Sequence, residues 1–230
     1  VKQFRQFLGI ESHNLPVKEI LVAVVSGGLA ILILYLAGSF WAEQFNNYKN
    51  CFVLLPIGAT AVLVFAVPHG ALSQPWNVIA GNFISALVGI ASAQIFKDEA
   101  LAAAVALAIA ILLMQVFHCI HPPGGATALT AVLGGSHIEQ LGYAYAFFPV
   151  LTSALMIVVL AVALNYPFSW RRYPIHLLYI HRKKVQKNAA EITANDMLLA
   201  VEAHGSYLDI GEETWQELLE IAKQIKDQAD

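Results

Sequence analysis

Two long stretches of the chain, Asn50 to Phe96 and Ala100 to Ile138, contain no Asp, Glu, Lys or Arg, and only Lys97-Asp98-Glu99 separates them. At 47 and 39 residues they exceed the roughly 20 that one helix needs to cross a bilayer, so each must hold two segments. Helix breakers set the divisions. Pro68-His69-Gly70 ends one segment and Gln74-Pro75-Trp76 opens the next, while His121-Pro122-Pro123-Gly124-Gly125 interrupts the second stretch. With an apolar run on either side, the pattern predicts six helical segments. They are Ile20 to Trp41, Cys51 to Val67, Trp76 to Phe96, Ala100 to Phe117, Pro122 to Gly134 and Leu141 to Leu164. The second and fifth are short and broken by proline, so the order reads long, short, long, twice over.

The breaker at His121 opens a helix as well as closing one, because proline fits the first helical turn, where its missing N–H is no loss. The small residues that follow would leave backbone N–H groups bare from Gly124 onward, with the Thr127 hydroxyl close by, and such a turn suits an anion. The device occurs twice. Pro56-Ile57-Gly58-Ala59-Thr60-Ala61 matches Pro123-Gly124-Gly125-Ala126-Thr127-Ala128 at five of six positions, 67 residues apart. An internal duplication is the simplest reading, although little identity extends beyond the hexapeptide.

Composition agrees with a membrane protein: 58 % hydrophobic residues, 13 % charged residues and a mean hydropathy of +0.62 leave too little polar surface for a soluble globule. The net charge of −3 gives no basis for binding nucleic acid. Cys51 and Cys119 read as buried free thiols. A cleavable signal peptide is disfavoured for the first apolar run, which is long and followed by further spans. Gly81, Ser85 and Gly89, and likewise Ala102, Ala106 and Ala110, recur every four residues, a spacing that lets helices approach closely. These stripes would also suit pairing of two copies, so a homodimer is a candidate partner beside the lipid bilayer.

Basic residues near the ends of the spans set the topology. Lys2, Arg5 and Lys18 precede the first span, and Arg171, Arg172, Arg182, Lys183, Lys184 and Lys187 follow the last, which places both termini on the cytoplasmic side of a cell inner (plasma) membrane. An even number of crossings follows, met either by six full segments or by four spans and two re-entrant pieces. If each half crosses three times, the second half is inserted upside down, with the broken helices facing each other. The predicted fold class is therefore all-α: a polytopic membrane bundle of two three-segment repeats, inverted, with two broken or half helices and a small cytoplasmic helical appendage. Its parts are an amphipathic lead (1–19), a transmembrane domain (20–168), a basic linker (169–190) and a helical hairpin (191–230).

His121 to Ala128, with Pro56-Ile57-Gly58-Ala59 and Gln74-Pro75-Trp76-Asn77-Val78 to Gly81, resembles the HPP family of integral membrane proteins over about Val17 to Tyr166. The family is described as having four spans, and some members from cyanobacteria and chloroplasts are associated with nitrite transport. The resemblance thus implies a small-anion permease. Bacterial relatives often continue into paired CBS domains after a linker similar to Asp196 to Ile225; no such pair follows within these 230 residues, and nucleotide regulation is not carried over.

With no Lys or Arg inside the predicted segments, an anion would rest on backbone N–H groups, hydroxyls and the partial positive ends of two helices, each about half a charge. The candidate substrate contacts are Pro56, Gly58, Ala59, Thr60, Asn82, Pro123, Gly124, Gly125, Ala126 and Thr127. For any proton coupling the candidates are His69, His118 and His121, since imidazole titrates near neutrality. Plainer roles compete: Asn82 as glue between helices, Thr60 and Thr127 bonded back to their own helices, and His121 as a structural cap. His118-Cys119-Ile120-His121 falls short of a zinc ligand set, and neither metal nor other cofactor is expected. No nucleophile, base and acid gather outside the histidines, so an enzyme is not expected. The permease reading, with nitrite or nitrate as the first guess, stands against a membrane-anchored signalling or scaffold protein whose cytoplasmic helices are the active part.

Overall fold

The computed structural model describes residues 15–44 and 55–177. Most of the amphipathic lead, Cys51, the greater part of the basic linker and the C-terminal hairpin lie outside the described residues. Described residues that form elements are helical: α1 (Val17–Gln44), α2 (Leu55–Ala66), a 3-10 turn (Ala71–Ser73), α3 (Pro75–Ile95), α4 (Glu99–Val116), α5 (Pro122–Leu133), α6 (Ser136–Leu141) and α7 (Thr152–Asn165), entered through a π-helical stretch, Ala146–Leu151. Four of these are long and apolar enough to cross a membrane: Val17–Phe40 within α1, α3, α4, and Ala146–Asn165, which joins the π stretch to α7. The chain is a multi-pass membrane protein.

Local chemistry explains the boundaries. Pro75 and Pro122 stand in the opening turns of α3 and α5, and the Asp98 carboxylate caps α4 by accepting the Leu101 N–H at 2.7 Å. The sixth predicted segment differs from expectation at its start. The chain forms the separate helix α6 up to Leu141, breaks at Gly142 with φ +51°, and only then enters the last span. Pro149 lies inside that span. Its missing N–H leaves the Tyr145 carbonyl without its usual partner, and the turn widens to the π form there. The Thr152 and Ser153 hydroxyls donate to the Phe148 and Pro149 carbonyls, which limits bare backbone within the apolar layer.

Contacts between distant residues fix the direction of each segment. Arg171, just past α7, donates to Glu19 at the start of α1 and to the Phe65 carbonyl near the end of α2. The beginning of α3 lies at the same end, because Tyr173 Oη donates to the Ser73 carbonyl at 2.8 Å and the Ile175 N–H to Gln74 Oε1 at 3.1 Å. So does the finish of α4, where Trp76 Nε1 donates to the Phe117 carbonyl at 3.1 Å. In contrast, α5 runs alongside α3 toward Lys97: Gly124 lies against Gly81, and Ala128 and Ala131 against Gly89. Successive long and short segments therefore alternate in direction, and the described chain begins and ends on one side.

Two three-helix groups result, α1 with α2 and α7, and α3 with α4 and α5; α2 touches α5 and α3 touches α7 across the middle. The glycine stripe of α3 makes the closest junction. A Cβ on Gly89 would stand 2.5 Å from the Ala128 carbonyl and 2.6 Å from Ala131 Cβ, and one on Gly81 would stand 2.7 Å from His121 Cβ. Ala102, Ala106 and Ala110 of α4 are buried as the spacing predicts. In lipid such contact stabilises through dispersion and shape, since there is little water to expel.

Candidate functional site

The beginning of α5 meets the middle of α2. His121 is the residue before α5 and lies beside Gly81, six residues or about 9 Å along α3, so α5 starts well inside the bundle. Its ring is fully buried and bridges the two halves: Nε2 lies 2.9 Å from Thr60 Oγ1 of α2, and Nδ1 lies 2.9 Å from the Leu72 carbonyl. Asn77 Nδ2 holds the turn by donating to the Ile120 carbonyl at 2.8 Å. Six residues further, in the second turn of α5, Thr127 Oγ1 donates to Asn82 Oδ1 at 2.6 Å, and Asn82 Nδ2 donates to the Val78 carbonyl at 2.8 Å.

The bonding pattern constrains the protons. A carbonyl only accepts, so the bond to Leu72 requires a proton on Nδ1. A neutral ring then accepts the Thr60 hydroxyl proton at Nε2. A doubly protonated ring donates to Thr60 Oγ1 instead, and the hydroxyl turns to the Pro56 carbonyl 3.1 Å away. Rotation of one hydroxyl serves both charge states.

Of the residues singled out from sequence, Pro56, Thr60, Asn82, Pro123, Gly124 and Thr127 are buried. Gly58 and Ala59 are exposed on α2 and Ala126 on α5, because helical periodicity turns them away once Thr60 and Thr127 point inward. Gly125 is half-buried toward Leu107 of α4. The expectation of bare amides from Gly124 onward needs correction: the Gly124 N–H is bonded to the His121 carbonyl at 2.8 Å. Asn82 does act as glue, and both threonines also lie within reach of their own backbones. The three histidines do not gather. His69 sits at the Arg171 end with Nε2 3.2 Å from the Arg172 carbonyl, and His118 is exposed at φ +52° in the turn after α4.

A second polar cluster escaped the sequence reading, which took Lys18 and Arg171 only as markers of topology. Arg171 is fully buried and Glu19 nearly so. Besides Glu19 and the Phe65 carbonyl, the guanidinium donates through Nε to Asn165 Oδ1 at 3.2 Å, and Trp170 Nε1 donates to Glu19 Oε2 at 2.8 Å. Lys18 Nζ lies 4.7 Å from the centre of the Trp170 ring. Burial lowers the pKa of Arg171 while the Glu19 carboxylate raises it. Nothing in the local sequence pairs residues 152 positions apart.

At the opposite end, between the last turns of α3 and α5 and the first of α4, lies a cavity of 490 Å³. Gln94, Lys97, Glu99, Val132 and Glu139 line it. Ala131, also in its wall, is four residues beyond Thr127, about one turn or 6 Å along α5.

Alternating apolar spans around two proline-started short helices define an α-helical polytopic membrane protein with a polar centre. The chain belongs to the HPP family: the pattern of the HPP transmembrane region matches residues 12–174. It is similar to two transmembrane proteins of Dictyostelium discoideum. One is 40% identical over 124 residues, covering 51% of this chain and 42% of the relative. The other is 36% identical over 131 residues, covering 55% and 42%. The matched part thus spans about two-fifths of the length of these relatives. No solved structure matches the chain.

Proposed function

We propose that this protein is a permease for a small inorganic anion, nitrite or nitrate being the first candidates, whose path crosses the contact between Thr60 and His121. The observation that carries the reading is the contact of two antiparallel half-length helices within the bundle, where the positive end of α5 at His121 meets Thr60 of α2. Alternating segment directions and the matched contacts of the two groups support an inverted repeat. Lys18, Arg171 and Arg172 at one end support a cytoplasmic position for that end. Because the central polar groups bond to one another, an ion enters only by taking their place: Thr60 and His121 part, and their hydroxyl and N–H turn to the anion. His121 serves as the proton carrier if transport is coupled to protons.

One observation favours a second reading. The cavity lining holds Lys97 with Glu99 and Glu139, and the C-termini of α3 and α5 outweigh the single N-terminus of α4 to leave partial negative charge, which suits a small cation or neutral solute. Uptake into proteoliposomes of the purified protein decides between them. The proposal expects nitrite or nitrate uptake above that of empty vesicles, and a loss of about tenfold in Thr60→Val that leaves folding intact. Uptake of cations alone would favour the second reading. Absence of any flux from a folded sample would favour the scaffold reading.

A further inference from the structure

The two ends of the molecule are built alike. At each, the last turns of two helices and the first turn of a third surround one space: α2, α7 and α1 at the Arg171 end, α5, α3 and α4 at the Lys97 end. Phe65, whose carbonyl receives Arg171, and Val132, in the cavity wall, are 67 residues apart, the same separation as the paired prolines Pro56 and Pro123. One space is filled by a guanidinium and the other is open to within a turn of Thr127.

We infer that Arg171, clasped by Glu19, Asn165 and the Phe65 carbonyl, is the closed gate of a path whose other mouth, the cavity at Lys97, stands open. The inference rests on the transport reading and adds to it which end is shut and by what. A guanidinium suits this role because its planar fork reaches three helix ends at once, so losing one bond loosens all three. Glu19 keeps the buried charge neutral when closed. On opening, both charges reach water, which lowers the cost of parting them. Glu19 and Arg171 act on the path through helix position; the solute meets Thr60 and His121.

Thiol labelling from each side tests this without knowledge of the solute. The full chain is used with Cys51→Ser and Cys119→Ala, and carries one reporter at a time. Val132→Cys lines the cavity at a half-buried position, Ala161→Cys is buried one turn before Asn165, and Ala110→Cys is buried within the α3, α4 and α5 group. A membrane-impermeant maleimide should label Val132→Cys from the Lys97 side only, and the other two from neither. With Glu19→Gln added, Ala161→Cys should label from the Arg171 side at least about tenfold faster, while Ala110→Cys stays protected. Arg171→Lys, which keeps the charge but loses the fork, should do the same.

An unlabelled Val132→Cys, or an Ala161→Cys whose rate neither substitution changes, would overturn the gate. So would labelling of Ala161→Cys that comes only together with Ala110→Cys, since that reports unfolding. Selective opening in a protein that carries no anion would uphold the gate and discard the anion.

Discussion

The Arg171 end and the Lys97 end are made of equivalent helix ends and treat charge in opposite ways. At the first, Arg171 and Glu19 are withdrawn from solvent and bonded to three helices; at the second, Lys97, Glu99 and Glu139 stand around a cavity. Similar backbones therefore do not impose a similar electrostatic fate. The side chains supplied after each long helix decide it. Arg171 follows α7 by six residues, enough chain to fold back over the helix ends, whereas Lys97 follows α3 by two and enters the tight turn to α4.

This contrast is most exposed to Arg171→Ala. Removing one partner of a buried pair leaves the other charge uncompensated, at a cost of about 3 to 5 kcal/mol. We expect a marked fall in the thermal unfolding temperature in detergent, and a double Glu19→Leu, Arg171→Leu variant that recovers most of it. Removing Lys97 with Gln at the exposed end should change stability by no more than about 0.5 kcal/mol. Equal losses from the two substitutions would erase the distinction between the ends.

The short helices offer a second comparison. A Cβ on Gly124 of α5 would meet the Gly81 carbonyl and Ser85 Oγ at 2.9 Å, whereas one on Gly58 of α2 meets nothing within 4 Å. Gly124→Ala should cost about 1 to 3 kcal/mol. Gly58→Ala should be neutral or stabilise by less than about 1 kcal/mol, through helix propensity and a less free unfolded chain. Side-by-side thermal melts check this, and a harmful Gly58→Ala would show that the outer face of α2 is covered. A smaller effect is expected at the centre. Thr127→Val leaves Asn82 Oδ1 without its hydroxyl donor, a loss of about 1 kcal/mol, close to what hydrogen bonds between membrane helices contribute.

Much of this arrangement was legible in the sequence. The charge-free runs and their proline punctuation gave the spans within a few residues, and the repeated hexapeptide marked both short helices. The spacing of Gly81, Ser85 and Gly89 announced a close helix contact on α3, though not that α5 makes it. Other features were hidden for physical reasons. Glu19 and Arg171 each sit where a sequence reading expects the membrane surface, and their pairing depends on three helices coming together. The Gly142 break and the widened turn at Pro149 lie inside an apolar run whose hydropathy does not register backbone geometry. The outward placement of Gly58, Ala59 and Ala126 was implicit in helical periodicity once Thr60 and Thr127 were turned inward, and that orientation is itself a tertiary fact.

The claim that a small anion passes where the two short helices meet is tested most directly by a double-substitution cycle on its flux. Initial rates of nitrite uptake would be compared for the native chain, Thr60→Val, His121→Ala and the pair combined, all verified as folded. Because the two side chains share one contact, each single change should slow uptake by at least about tenfold and the pair by little more than either. Rates that multiply, or uptake that neither change slows, would place the path elsewhere in the molecule.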